Sequence, residues 1–498
     1  MKLNRPTGRA PHTRVGKPAV ARLSATRIPS LRKAALWTAF ACASLTAQVA
    51  LAETNPDAQP EAPEQDLNIQ AQQTSQWTGV WSRQQLLGDM GGLRPWLGQY
   101  GVTFALTETS EYLYNTRGGL STGGAYDGLT TGTVQLDTQK AFGLPGGLFN
   151  ISALQIHGTN LSERKLGTLN TASGIEAEST TRLWEMWYQQ SFLDKRVDVK
   201  VGQQSLDQEF ITSQYAALFV NTMFGWPGLP SYDMPSGGPA YPLAGLGARV
   251  RGQITPSLTA LAGVFSGDPL GNNPNNISGT NFNLHNGTLW IGELQYSINQ
   301  PADGEMVTDT HDKLPGTYKI GMWYNTNLFD DQRFDNTGLS LANPNSTGVP
   351  ATHHGNYSIY AVADQMVWRP DPDEPRSIGV FARVMGAPNA QNLVSYSANL
   401  GVVMKAPFAG RDNDSVGIGL AYIKVSSAAR GFDEDSGNVP RGSETALELT
   451  YQYQVNPWWQ LQADAQYTFN AGAGQNPNNP TQALRNTFVI GMRTNITF

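Results

Sequence analysis

Residues 487–498 read Thr-Phe-Val-Ile-Gly-Met-Arg-Thr-Asn-Ile-Thr-Phe and end the sequence. Phe488, Ile490, Met492, Thr494, Ile496 and Phe498 are apolar or methyl-bearing, every second position. Gly491, Arg493, Asn495 and Thr497 fill the alternate set, with Val489 its one apolar member. A side-chain period of two makes this a strand with one greasy and one wet face. Its length suits the roughly 9–11 residues that a tilted strand needs to cross a bilayer core. An amphipathic strand left as a free edge invites aggregation, and closing a barrel removes the edge. The expectation is therefore a transmembrane β-barrel whose other strands the rest of the chain must supply.

The composition fits that expectation. Charged residues are only 15% of the chain and glycines number 52. Beyond the N-terminal segment no run of 18 apolar residues occurs, which argues against a bundle of membrane helices. Residues 1–52 hold nine Lys or Arg and no acid, then an apolar run over 34–47 and Ala50-Leu51-Ala52. That is the layout of a signal peptide. The remaining 53–498 carry 25 basic against 40 acidic residues, which excludes nucleic acid as the default partner. The single cysteine, Cys42, lies in the leader, so thiolate chemistry and disulfides are excluded downstream. Residues 53–76, rich in Pro, Gln, Ala and Glu, are expected to be a disordered periplasmic linker. Residues 77–100 should form a short helical segment, with a helix around Trp81, Gln84, Gln85, Leu86 and Leu87 closed by Gly88, Gly91 and Gly92.

From there the alternation gives sixteen candidate strands: 101–114, 131–141, 148–158, 180–192, 196–205, 245–254, 257–267, 287–298, 316–327, 356–368, 377–386, 395–405, 415–426, 444–455, 458–470 and 487–498. Tight connections (142–147, 193–195, 255–256, 456–457) alternate with longer Gly/Asn/Ser-rich loops, the outer-membrane pattern of short turns on one side. The expected fold is all-β: a sixteen-stranded antiparallel transmembrane barrel over 101–498, with both termini periplasmic. The longest insert, 206–244, carries Phe219, Val220, Met223, Phe224 and Trp226, too apolar for a solvated loop. It should fold into the bore and narrow it.

In a pore the chemistry lies at inward positions. With Trp184, Met186 and Tyr188 set towards lipid, parity turns Glu185 and Trp187 inward. Similar counting places Lys200, Arg249, Arg251, Glu293, Trp323, Arg383, Glu448, Asp464 and Arg493 in the lumen. Strict alternation would turn Glu108 and Asp364 to lipid, and it leaves the facing of His157 open. A two-signed, amide-rich wall suits neutral mono- or oligosaccharides, whose hydroxyls bond carboxylates and guanidiniums in pairs while indoles cover the sugar face. A one-signed basic ring would instead indicate an anion pore.

Four segments also carry a resemblance: 86–97 (Leu-Leu-Gly-Asp-Met-Gly-Gly-Leu-Arg-Pro-Trp-Leu), 203–226, 231–246 and 381–388 (Phe-Ala-Arg-Val-Met-Gly-Ala-Pro). They resemble motifs of the carbohydrate-selective porins called the OprB family, over roughly 77–498. The resemblance implies an outer-membrane channel for facilitated diffusion of glucose-like sugars. By motif it places Arg94, Glu185, Trp187 and Arg383 at the constriction. No cofactor is expected; the acidic clusters 329–331 and 433–435 offer loop sites for divalent cations, with a plain solvated loop as the alternative. His353-His354 is likewise better read as a loop pair than as a metal site. The expected surroundings are outer-membrane lipid and lipopolysaccharide, with the chain a monomer or homotrimer. The alternatives are a general diffusion pore without sugar selectivity or, further off, a barrel enzyme. The latter finds no Gly-x-Ser-x-Gly elbow beside His157.

Overall fold

A computed structural model describes residues 79–271, 276–300, 313–371 and 374–498. The expected signal peptide and linker lie outside these residues. Sixteen strands close an antiparallel barrel: β1 (Val102–Arg117), β2 (Gly123–Asp137), β3 (Gly147–Gly158), β4 (Thr180–Phe192), β5 (Val197–Gln204), β6 (Gly245–Thr255), β7 (Leu258–Ser266), β8 (Thr288–Ile298), β9 (Gly316–Asp335), β10 (Pro350–Trp368), β11 (Ser377–Gly386), β12 (Val394–Lys405), β13 (Ser415–Val425), β14 (Ser443–Asn456), β15 (Trp459–Phe469) and β18 (Thr487–Thr497). The two-stranded β16–β17 (Gln475–Asn476, Asn479–Ala483) decorates the last outer loop. The closing strand pairs with β1 from Thr107↔Thr497 to Arg117↔Phe488, so the terminal edge is consumed.

The period-two pattern is visible in β14 and β15. Leu449 is 54% exposed on the outside while Glu448 beside it is fully buried within. Leu447↔Tyr467 and Tyr451↔Ala463 face out, and Glu448↔Gln466 and Gln452↔Gln462 face in.

The structure corrects the reading at several places. β2 begins at Gly123 rather than 131, so the β1–β2 connection is a tight turn, and its lower end becomes the helix Thr138–Phe142 capped by Asp137. The N-terminal helix forms at Leu93–Gln99, after Gly92 rather than before Gly88; Gly92 takes φ 88° as its N-cap, a conformation that glycine adopts without cost. Trp184, expected on the lipid face, is buried inside. It is the extra residue of a β-bulge, since Ser152 pairs with Glu185 and Ala153 with Leu183. One extra residue reverses parity, so Arg182 and Trp184 face in above the bulge, and Glu185 and Trp187 below it. Asp364 also faces in, alongside Tyr360 and Val362. Those apolar residues pack against the inserted loop rather than lipid, so hydrophobicity alone misread the face. Glu108 and His157 do face outward.

Candidate functional site

The insert 205–244 folds into the bore as expected. Phe210, Ile211, Tyr215, Phe219, Met223, Phe224, Trp226 and Leu229 form one buried cluster with inward wall residues such as Phe265, Ile291, Trp323, Tyr360, Phe381 and Val403. The ring of Phe219 lies 4.5 Å from that of Phe224 and 5.6 Å from that of Phe381. The wall makes room with inward glycines: a Cβ on Gly379 would sit 2.1 Å from the Tyr215 ring, and one on Gly419 2.7 Å from that of Phe224.

A second loop, 159–179, also turns inward, which sequence reading missed. Its Leu161, Leu166 and Ala172 pack on Leu113, Ala125 and Val489, and its Ile175 and Ala177 on Leu129, Leu154, Trp184 and Tyr241. The hydrophobic signal was present in Leu161, Leu166 and Ile175, but these residues are spread among polar ones and follow no period. The loops meet: Thr222 N donates to Thr171 O (3.1 Å), Gly174 N to Val220 O (2.9 Å) and Thr222 Oγ1 to Ser173 O (2.7 Å).

Most of the predicted lumen charges hold these loops to the wall. Glu448 accepts from the backbone N–H groups of Val220 and Asn221 (2.6 and 2.9 Å), Glu293 from Ile211 N (2.8 Å) and Glu185 from Ser205 N (2.9 Å). Asp364 takes Ser213 Oγ and Gln214 N, and Glu444 takes the N–H groups of Leu169, Asn170 and Gly472. Arg383, expected at the constriction, instead spans the loop backbone, donating to the carbonyls of Ile211, Met223, Phe224 and Gly225 at 2.7–2.8 Å and to Asn399 at 3.1 Å. A segment folded inside a barrel has backbone groups that no strand ladder satisfies, and charged wall side chains satisfy them. Trp323 is fully buried beneath the same loop. Arg493 is paired with Glu111 at 2.9 Å and donates to Ser173 Oγ at 3.1 Å. Asp464 accepts from Gln466 at 2.8 Å. Arg94 lies elsewhere. It clamps the periplasmic seam, donating to Phe104 O (3.0 Å) and Phe498 O, because its helix packs on β1 rather than in the bore.

A two-signed cluster remains at the edge of the insert. Arg249 bridges Asp198 and Glu209, Lys200 pairs with Glu209, and Arg251 reaches Asp198 at 3.3 Å. The Lys200 Nζ lies 4.4 Å over the Trp187 ring. Burial alone would raise the Glu209 carboxyl, but Lys200 and Arg249 outweigh it and hold it down to about 2. Glu209's unfolded value lies near 4.3, so the cluster's contribution is fully present above about pH 4.3 and is lost as pH falls through about 2. In the folded channel Glu209 therefore keeps its charge down to about pH 2, and Glu209→Gln is expected to leave the shape of the conductance–pH profile between pH 7 and 4.3 unchanged; a profile whose shape that substitution alters in this range would contradict this.

Arg182, which the parity count passed over because of the bulge, faces inward, and its buried Nε has no hydrogen-bond partner among the described residues. Its electrostatic neighbours are the Tyr241 hydroxyl and the exposed Glu178. No group of three or more metal-ligating side chains occurs among the described residues. His353 is held by Asp331 at 2.8 Å, and Asp433 is committed to Arg441.

The comparisons agree with this geometry. Porin B of Pseudomonas aeruginosa is 26% identical over 450 residues, covering 83% of this chain and 91% of that protein. The high-pH structure of Pseudomonas putida OprB superposes with a TM-score of 0.72 at 24% identity, covering 84% of this chain and all of that one. The low-pH structure of the same protein gives 0.51 at 19% identity, covering 84% of this chain and 99% of that one. These likenesses carry the fold. The model of the carbohydrate-selective porin, OprB family, matches residues 121–498, most of the barrel. An outer-membrane β-barrel with its bore narrowed from within, this chain belongs to the carbohydrate-selective porins of the OprB family.

Proposed function

We propose that the channel passes small neutral sugars of the glucose type by passive diffusion into the periplasm, with Arg182, Glu178 and the Lys200–Glu209–Arg249 cluster as the groups that meet them. The observation that carries this reading is the pairing of opposite charges around Glu209, beside the Trp187 ring. Paired opposite charges offer hydroxyl groups both donors and acceptors. Arg182 adds an inward guanidinium whose buried Nε has no hydrogen-bond partner among the described residues. Family and fold point to a channel rather than an enzyme.

Liposome swelling with glucose, a disaccharide and a small anion tests the reading, with glucose expected to enter fastest. Absence of any solute flux would sink it, and equal flux for every sugar would leave an unselective pore. Arg182→Ala is expected to weaken block of conductance by glucose roughly 10- to 100-fold, the worth of about 1.5–3 kcal/mol for a charge-assisted hydrogen bond. Unchanged block would remove Arg182 from the site.

A further inference from the structure

A line of aromatic rings leaves the barrel wall at the foot of β15. Trp459 stands outward there opposite Ile496, and its indole N–H donates to Thr494 Oγ1 at 2.8 Å. Trp458 stacks beside it with ring centroids 6.0 Å apart, and Trp81 lies 6.5 Å beyond Trp458. Trp458 Nε1 donates to Val80 O at 2.6 Å, and Leu86 N to Thr497 O at 2.8 Å, which carries the N-terminal stretch across the closing strand to β1. There the helix Leu93–Gln99 sits on the lipid side of the wall. Thr109, Glu111 and Leu113 are buried towards the bore, so the even positions of β1 face out, and the Arg94 guanidinium lies 4.4 Å over the ring of outward Phe104. Trp96 and Tyr100, one turn apart, meet edge to face at 5.4 Å and are 53% and 57% exposed, with Leu93 on the same face.

The wall behind this segment lacks rings with a polar edge. The outward feet of β18, β1, β2 and β3 carry Ile496, Phe104, Leu136 and Phe149, whereas the flanking feet carry Trp459 on β15 and Tyr188 on β4. Indole and phenol rings settle at the headgroup level of a bilayer, and membrane barrels keep an aromatic girdle at each interface. The N-terminal segment sets Trp81, Trp96 and Tyr100 across the gap. A seven-residue helix is also too short to persist in water by itself, and none of its residues is buried by the protein.

We infer that the helix Leu93–Gln99 is a membrane-docking element whose Leu93–Trp96–Tyr100 face seats among the headgroups and upper acyl chains of the periplasmic phospholipid leaflet. It completes the girdle over the β18–β1 closure. Continuity with the wall's own lipid contact commits this face to lipid, since the rings run on from Trp459 and the helix lies over a lipid-facing side chain, Phe104. Arg94 turns its charge to the Phe104 ring and to the seam carbonyls of Phe104 and Phe498, which leaves the aromatic face to meet the bilayer. On the far side Asp137 N donates to Gly101 O at 2.8 Å, and the adjoining helix Thr138–Phe142 exposes Phe142 to the acyl chains and Lys140 to lipid phosphate.

Fluorescence quenching in phospholipid proteoliposomes, in a Cys42→Ala background, tests the inference. Leu93→Cys carrying a small polarity-sensitive fluorophore is expected to be quenched about threefold more by phospholipid with a nitroxide near its headgroup than by a water-soluble nickel chelate. Asn345→Cys, exposed on the outer loop between β9 and β10, should show the reverse order. Adding Trp96→Asp with Tyr100→Asp should cut the lipid quenching at Leu93→Cys about threefold, because a carboxylate resists entry into the bilayer. The barrel's heat-dependent electrophoretic shift should survive in that variant. Stronger quenching of Leu93→Cys by the chelate, or lipid quenching that persists with both aspartates in place, would overturn the inference. So would shielding from the chelate in isolated outer membranes but not in proteoliposomes, which would give the face to a protein partner.

Discussion

Replacing Arg383 with alanine is expected to open the channel rather than unfold the barrel. The guanidinium holds four consecutive or neighbouring loop carbonyls plus Asn399 while being almost fully buried. Its loss strands those carbonyls without donors, and breaking a buried charged network of this kind costs about 3–5 kcal/mol. The strand ladders on either side, β10–β11 and β11–β12, lose nothing, because they are backbone pairings. The insert is therefore expected to detach around 211–225. Conductance should rise, and a trisaccharide excluded by the native channel should enter liposomes. The folded barrel should remain intact, as judged by its heat-dependent shift on electrophoresis. Arg383→Lys should fail to rescue, because one ammonium cannot span a fan of carbonyls that a planar fork reaches. Native sugar exclusion in the alanine variant would show that the other anchors suffice.

The second large effect is expected from Phe224→Ala. Phe224 is fully buried against Phe219 and Phe381, with Gly419 beneath it. Removing a buried ring costs about 3–5 kcal/mol in transfer and cavity terms. Here that loss falls on the contact between loop and wall, so the channel should flicker between conductance levels while strand pairing persists. Gly419→Ala added to Phe224→Ala should quieten the trace in part: its methyl enters the space left by the Phe224 ring, and Phe219, 2.8 Å from that methyl, can yield into the same vacancy. Steady single-channel traces in Phe224→Ala would place the loop's hold elsewhere.

The barrel was legible because a wall residue's facing is a local property. Leu449 and Glu448 are one step apart, and the period alone separates lipid from lumen. The apolar run Phe219, Val220, Met223, Phe224 also betrayed an insert that water would not tolerate. The site was less legible. Arg182 was missed and Trp184 misplaced because a bulge inserts one residue without any mark in composition. Strict alternation turned Asp364 to lipid, whereas it shares the inward face with Val362 and Tyr360, which are apolar for the sake of the loop behind them. Arg383 and Glu448 were correctly turned inward, yet sequence could not tell a charge that meets solute from one that meets a buried backbone amide.

The amino-acid sequence by itself thus determined the all-β class, the sixteen crossings, the closing strand at 487–498 and the folding of 206–244 into the bore, because each follows from side-chain period or bulk hydrophobicity. Only the tertiary structure decided that the 159–179 loop joins it, that Glu185, Glu293, Arg383 and Glu448 are committed to loop backbone, and that the buried Arg182 Nε finds no hydrogen-bond partner among the described residues. Those outcomes depend on which groups a folded loop leaves unsatisfied, and that is set by contacts between segments far apart in the chain.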